Sequence, residues 1–238
     1  MLNERLVQYE HRGTLLEGFL AYDDANPAPG PAVLISHAWA GRDEFACDKA
    51  RYIASLGYTG FALDLYGKDV QGSSPEENTR LMQPFMQDRA FLQSRMQASL
   101  DTLVSMPEVR ADRVAAMGFC FDGLCVLDLA RTGAELRGVI SVHGFFSPPG
   151  NIKEHRIKAS VLALHGHDDP MVAMDKAVAF GQEMTGAGVD WQLHVFGRTK
   201  HAFTNPHAND QGRGTVYNED ANRRSWPLID SFLTEVLE

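Results

Sequence analysis

Met117-Gly118-Phe119-Cys120-Phe121-Asp122-Gly123 is the stretch of sequence that decides the fold. It follows an apolar run at 113–117 that predicts a short buried strand, and it precedes residues 124–131, which predict a helix. A nucleophilic residue between glycines at a strand-to-helix turn is typical of a nucleophile elbow. At a helix N-terminus, backbone N–H groups and the helix dipole favour a thiolate. Cys120 is therefore a candidate nucleophile, and the open alternative is a buried cysteine that packs as a small hydrophobic residue.

Size and composition limit the classes of protein that fit this chain. Its 238 residues are enough for one large domain, which we predict over residues 1–238. A net charge of -9 argues against nucleic acid or an anionic membrane surface as a partner. The 3 cysteines are too few for a disulfide framework, and neither a signal peptide nor an apolar run that could span a bilayer is present in the sequence. We therefore expect a cytoplasmic protein. The sequence leaves its oligomeric state open between a monomer and a homodimer.

Predicted strands and helices alternate along the chain. The predicted strands are 6–9 and 14–22, which form an antiparallel hairpin, followed by 32–36, 58–65, 113–117, 136–142, 159–164 and 191–196. The predicted helices are 43–56, most of 73–106 with a long amphipathic part at 87–106, then 124–131, 171–184 and 218–237. This alternation predicts an α/β fold with a mostly parallel central sheet and helices on both faces.

Three residues that follow predicted strands have the chemistry of a catalytic triad. A thiol nucleophile needs a base, and the base needs a third group to orient it. Cys120, Asp169 and His201 occur in the order nucleophile, acid, histidine, and each lies just after a strand. Because ligands of such sheets bind beyond the carboxyl ends of the strands, we expect these side chains to gather at one edge. Asp168 is the alternative acid.

Several motifs, in order along nearly the whole chain, resemble those of the dienelactone hydrolase family of α/β-hydrolases. They are Asp64-Leu65-Tyr66-Gly67, Gly118-Phe119-Cys120, His165-Gly166 with Asp169, His201-Ala202-Phe203-Thr204-Asn205-Pro206, and Tyr217-Asn218-Glu219-Asp220-Ala221 with Arg223-Arg224-Ser225-Trp226. The resemblance implies an α/β-hydrolase fold with Cys120 as nucleophile, His201 as base and Asp169 as its orienting acid. Asp169 precedes Pro170, as the family's acid commonly does, which favours it over Asp168. The resemblance also implies an oxyanion hole formed by the backbone N–H groups of Phe121 and Trp39.

Two residues depart from the family's pattern. Ala38 occupies the place of a glutamate that governs cysteine ionisation in the dienelactone enzymes, so we expect a resting thiolate–imidazolium pair between Cys120 and His201. Asp122 stands where the family usually has glycine. It is either an ordinary acidic residue in the first turn of a helix or a group that tunes Cys120 or contacts substrate.

The predicted substrate pocket is apolar and suits a neutral substrate. The parent enzymes hold a carboxylate with arginines, and Asn205 occupies about the place of one of them. Arg80 and Arg89 are possible replacements, or else solvated helix charges. The predicted pocket residues are His37, Ala38, Phe119, His143, Phe145, Phe146 and Asn205, next to Trp39 and Phe121, and each aromatic residue among them fits an ordinary core position equally well.

The sequence thus predicts a metal-independent, cofactor-free hydrolase of esters or lactones with a cysteine nucleophile. Promiscuous phosphotriester hydrolysis is a further expectation, because donors placed for a carbonyl oxyanion also stabilise a phosphoryl oxygen. A metal site at His165, His167, Asp168 and Asp169 is the weaker alternative, since no metal-binding motif accompanies these residues. A non-catalytic small-molecule binding protein on the same scaffold is the other alternative.

Overall fold

The computed structural model describes residues 1–152 and 156–238. The strands are β1 Leu2–His11, β2 Thr14–Asp23, β3 Gly30–Ser36, β4 Thr59–Ala62, β5 Val109–Phe119, β6 Gly138–Val142, β7 Ser160–Gly166, β8 Trp191–Phe196, β9 Asn209–Asp210 and β10 Thr215–Val216. The helices are α1 Glu44–Ser55, α2 Pro75–Gln87, α3 Arg89–Val104, α4 Phe121–Arg131, α5 Met174–Gly186 and α6 Glu219–Leu237. From β3 onward, strands and helices mostly alternate, as the sequence predicts; in the described residues the exceptions are the successive helices α2–α3 and the successive strands β6–β7 and β8–β9–β10.

Strands β1 to β8 form an eight-stranded sheet in the order β1-β2-β4-β3-β5-β6-β7-β8. The β1–β2 and β2–β4 pairs are antiparallel, and every pair from β4–β3 to β7–β8 is parallel. The carboxyl ends of β3, β5, β6, β7 and β8 therefore lie at one edge, where we expect a ligand site. This topology confirms the predicted α/β fold.

Both faces of the sheet are covered. On β3, Leu34 belongs to a core cluster that also contains residues of α3, α4 and α5. Its neighbour Ile35 belongs to a second cluster, with residues of α1 and α6. Because successive side chains of a strand point to opposite faces, an apolar run such as 32–35 supplies both clusters.

Local side-chain hydrogen bonds explain where the observed elements differ from the predicted ones. The mostly helical stretch predicted over 73–106 is divided at Asp88, which ends α2 and caps α3, accepting the Phe91 N–H at 2.8 Å. Strand β4 ends at Ala62, earlier than the predicted 65, and the Asp64 carboxylate then accepts the N–H groups of Tyr66 and Gly67, both at 3.0 Å. Helix α4 begins at Phe121, three residues earlier than predicted, and the β9–β10 pair was not predicted.

In the described ranges, no helix combines the length and the apolar character that a membrane span requires.

Candidate active site

Cys120 lies at a sharp turn between β5 and α4. Its backbone has φ 58° and ψ -122°, a conformation that a non-glycine residue rarely adopts outside constrained turns. Gly118 permits the turn, because a Cβ at that position would lie 2.0 Å from the carbonyl oxygen of Asp122. Cys120 is partly exposed and is the N-cap residue of α4, so it lies at the positive end of the helix dipole.

Asp169 and His201 form a fully buried pair. His201 donates from Nδ1 to Asp169 Oδ2 at 2.7 Å, and both side chains have 0% exposure. The other carboxylate oxygen, Oδ1, accepts the N–H groups of Met171 at 2.8 Å and Val172 at 3.2 Å. Asp168, in contrast, is 49% exposed and pairs with His167 at 2.7 Å. The structure therefore brings Asp169, and not Asp168, to the histidine.

The β9–β10 hairpin fixes the backbone of His201. The His201 N–H donates to the Gly214 carbonyl at 3.0 Å, and the Val216 N–H donates to the His201 carbonyl at 2.9 Å. The sequence analysis missed this hairpin. The turn-forming residues of Asn209-Asp210-Gln211-Gly212-Arg213-Gly214 are the signal that could have revealed it.

The charge state of His201 depends on its neighbours. Burial lowers its pKa, but the adjacent Cys120 side chain and Asp169 outweigh burial and raise the pKa to about 10. With Nδ1 bound to Asp169, Nε2 has no hydrogen-bond partner among the described residues and is free to interact with the neighbouring Cys120 side chain. This imidazole is therefore set up to exchange a proton with the thiol.

His143 is hydrogen-bonded to the backbone of the elbow at Cys120. The Cys120 N–H is 3.1 Å from His143 Nδ1, which accepts it, and Nε2 lies 2.9 Å from Thr204 Oγ1. Burial and the neighbouring His201 hold the pKa of His143 well below its usual range. His143 is therefore a neutral imidazole that donates from Nε2 and accepts at Nδ1.

The two amides predicted for the oxyanion hole lie on segments that end at the same sheet edge. Phe121 is the first residue of α4, so its N–H has no partner within the helix. Trp39 follows β3 in a short turn, in which the Gly41 N–H donates to the Ala38 carbonyl at 3.1 Å. The Tyr66 hydroxyl donates to the Trp39 carbonyl at 3.0 Å and so fixes this turn.

A cavity of about 430 Å³ opens onto Cys120 and His201. Six further residues of the predicted site line it: Ala38, Trp39, Phe119, His143, Phe145 and Asn205. The wall also contains residues that the sequence analysis did not single out, among them Phe45, Met82, Met171, Asp210 and Arg213. The lining is mainly apolar, and its charged side chains apart from the pair of Cys120 and His201 are Asp210 and Arg213.

The structure corrects the placement of two predicted pocket residues. His37 is buried beneath the cavity, with Nδ1 2.6 Å from the Ala38 carbonyl and Nε2 accepting the Leu65 N–H at 3.2 Å. Phe146 packs inward, stacked on Phe180 with ring centroids 4.6 Å apart.

Neither arginine considered for the missing anion clamp lines the cavity. Arg89 forms two hydrogen bonds with the buried Asp128 carboxylate, at 2.6 and 2.7 Å, and Arg80 is exposed on α2. Within residues 1–152 and 156–238, no three histidine, cysteine or acidic side chains are grouped as metal ligands would be.

Comparison with known proteins identifies the family. The model of the dienelactone hydrolase family matches residues 16–237. The chain belongs to the dienelactone hydrolase family. This confirms the resemblance in the sequence motifs, and the protein is accordingly a hydrolase on an α/β-hydrolase scaffold.

Individual relatives cover the whole chain. A dienelactone hydrolase-like promiscuous phosphotriesterase from metagenomic libraries is 35% identical, with a TM-score of 0.93, and the match covers 100% of this chain and 99% of that one. The solved structure m3DLH is 34% identical, with a TM-score of 0.95 and the same coverage. A protein of Aquifex aeolicus, provisionally named carboxymethylenebutenolidase, is 26% identical over 98% of this chain and 99% of its own length.

Proposed function

We propose that this protein hydrolyses neutral carboxylic esters and lactones, with Cys120 as the nucleophile. The observation that carries the proposal is the buried Asp169–His201 hydrogen bond of 2.7 Å, which orients the histidine at the cavity into which Cys120 opens. Membership in the dienelactone hydrolase family and the relative provisionally named carboxymethylenebutenolidase support the same reaction class.

The first half of the reaction forms a thioester. The Cys120 thiolate attacks the carbonyl carbon, and the carbonyl π electrons move to oxygen, where the amides of Phe121 and Trp39 stabilise the oxyanion. When the oxyanion collapses, the carbon–oxygen bond to the leaving group breaks, and the leaving oxygen takes the Nε2 proton of His201. Asp169 keeps the other nitrogen, Nδ1, protonated and oriented throughout.

The second half returns the enzyme to its starting state. Neutral His201 takes a proton from water, and the resulting hydroxide attacks the thioester carbon. Collapse of the second oxyanion expels the Cys120 thiolate and releases the acid. His201 is left protonated, so the thiolate–imidazolium pair is restored, in agreement with the raised pKa of about 10 of this histidine.

We include neutral phosphotriesters as a secondary substrate class. A relative that is 35% identical over the whole chain is described as a promiscuous phosphotriesterase. In this reaction the thiolate attacks phosphorus, the ester leaving group departs, and water activated by His201 hydrolyses the phosphorylated cysteine. The same two amides are suited to the phosphoryl oxygen.

A neutral substrate is favoured by the charges of the cavity wall. Arg213 Nε lies 3.6 Å from Asp210 Oδ2, so the arginine that borders the cavity is already next to a carboxylate. Asn205, another wall residue, carries no charge.

The three cysteines are free thiols, which fits a reducing, cytoplasmic compartment. We continue to expect a monomer or a homodimer that binds neither nucleic acid nor membranes.

Turnover of an activated aryl ester tests the proposal. We expect the Cys120→Ala variant and the iodoacetamide-treated enzyme to lose turnover, with a chelator having no effect. Cys47→Ala is the matched control, because Cys47 is a buried thiol of α1 that does not line the cavity. Full turnover by Cys120→Ala would refute the cysteine mechanism. Absence of turnover with esters, lactones and phosphotriesters, together with saturable ligand binding, would favour the binding-protein alternative.

A further inference from the structure

Asp122 is a fully buried acid directly beneath the elbow. It lies in the first turn of α4, has 0% exposure, and is hydrogen-bonded through Oδ1 to the hydroxyl of Ser36, the last residue of β3. Its second oxygen, Oδ2, has no hydrogen-bond partner among the described residues. The imidazole of His37 faces it, with Nδ1 3.7 Å from Oδ2.

The surroundings of Asp122 favour the neutral acid. His37 accepts the Leu65 N–H at Nε2, so its own proton is on Nδ1. The Nδ1–H group donates a hydrogen bond to the Ala38 carbonyl at 2.6 Å. His37 is then uncharged, and the buried thiol of Cys125 provides no cation either. Because an unpaired carboxylate is costly to bury, burial raises the pKa of Asp122 well above its usual range.

Asp122 also joins the two segments that carry the oxyanion amides. Asp122 directly follows Phe121, the first residue of α4, and Ser36 lies three residues before Trp39. The sheet pairs Ser36 with Gly118, the glycine of the elbow, so the acid spans the elbow from the helix to the neighbouring strand. We propose that the un-ionised Asp122 is a positioning residue that, through Ser36, holds the Phe121 and Trp39 amides at the spacing an oxyanion requires.

The protonation state matters for the same reason. An ionised carboxylate in the first turn of α4 would place a negative charge near the Cys120 thiolate and the developing oxyanion. Its repulsion would destabilise both of these anions. The neutral acid provides the link to Ser36 without that charge. This inference rests on Cys120 acting as proposed above, and it assigns a role to the residue that replaces the family's glycine.

Two reactions of Cys120 separate positioning of the oxyanion hole from general damage. Acylation by an aryl ester needs the oxyanion amides, whereas alkylation by iodoacetamide needs only an accessible thiolate. For Asp122→Ala we expect the pre-steady-state acylation rate to fall about 10- to 100-fold, as a displacement of catalytic groups by about 1 Å does, while alkylation stays within about threefold of the wild-type rate. Asp122→Asn, which has the shape of the neutral acid, is expected to recover most of the lost acylation rate.

Ser36→Ala removes the other partner of the Asp122–Ser36 hydrogen bond. It provides the same test if Asp122→Ala does not fold. We expect its acylation rate to fall as well, and the double variant to be no slower than Asp122→Ala, because both changes remove one interaction. Wild-type acylation in Asp122→Ala and Ser36→Ala, equal losses of acylation and alkylation, or an Asp122→Asn variant as slow as Asp122→Ala would each overturn the inference. Ester turnover by Cys120→Ala, in contrast, would refute the proposed function itself.

Discussion

Asp169 and His201 share a 2.7 Å hydrogen bond in which neither side chain is exposed. The Asp169→Asn variant keeps the size of the side chain but permits the wrong histidine tautomer, so we expect kcat for an aryl ester to fall by about 10²- to 10⁴-fold. Asp168→Asn is the matched control, since Asp168 is 49% exposed and pairs only with His167 among the described residues. Comparable losses in both variants would show that Asp169 has no special role.

The pH dependence of activity is set by the pair formed by Cys120 and His201. Since the pKa of His201 is raised to about 10, the histidine stays protonated, and able to protonate the leaving group, from neutral pH up to about pH 10. We expect kcat/KM to decline as the pH rises through about 10, and not near the ordinary histidine value of about 6.5.

Histidine NMR titration of the resting enzyme checks the cause of this shift. The Cys120 side chain is the largest contribution that raises the pKa of His201, ahead of Asp169. Cys120→Ala should therefore titrate His201 at a clearly lower pH than the wild-type enzyme. An unchanged His201 titration in Cys120→Ala would mean that the two side chains do not interact.

Gly214 links the β9–β10 hairpin to both members of the buried pair. Its carbonyl accepts the His201 N–H at 3.0 Å, its φ is 73°, and a Cβ at this position would lie 2.2 Å from Cγ of Pro170, the residue after Asp169. We expect Gly214→Ala to lose about 1–3 kcal/mol of unfolding free energy and to lower kcat about tenfold, because relief of the clash moves the histidine.

Gly188→Ala is the control for the backbone contribution. Gly188 has a similar φ of 70°, but no atom lies within 4 Å of a Cβ built there. In urea unfolding, Gly188→Ala should lose the part of the unfolding free energy that is due to the positive φ, but it should retain the wild-type kcat. If Gly214→Ala retains kcat as well, the hairpin does not position His201.

The residues that could be predicted from sequence are those whose position follows from the sheet. Cys120 and Asp169 follow the buried strands β5 and β7, and His201 follows the alternating strand β8; parallel strands bring their carboxyl ends together whatever the packing details are. The elbow glycines and the order of the three residues then define their roles. The family motifs extended this to the oxyanion amides.

The features that the sequence analysis missed or misplaced are those that leave no periodic pattern in the sequence, such as the direction of a side chain or a very short strand. His37 also follows a strand, but its two ring nitrogens bond to the Ala38 carbonyl and the Leu65 amide, which turns the ring away from the cavity. Strands β9 and β10 have two residues each, too few for an alternating pattern, so the hairpin at His201 was missed. Asp122 was unexplained because its partner, Ser36, lies 86 residues away in sequence.

The Asp210–Arg213 pair at the cavity wall provides a test of charge selectivity. Arg213 Nε and Asp210 Oδ2 are 3.6 Å apart, and both side chains are about half exposed. Asp210→Asn leaves the guanidinium uncompensated at the cavity, so we expect KM for an ester that bears a carboxylate in its acyl part to fall about three- to tenfold, with KM for its neutral counterpart unchanged. The effect should shrink at high salt, because partly exposed charges are screened.

The double variant Asp210→Asn/Arg213→Gln is the matched control for this change. It removes the arginine that Asp210→Asn uncovers, and it should restore the preference of the wild-type enzyme for the neutral ester. A carboxylate-bearing ester that binds equally well to all three proteins would show that the pair lies beyond the reach of the substrate, and the choice of a neutral substrate would then rest on the apolar wall and Asn205 alone.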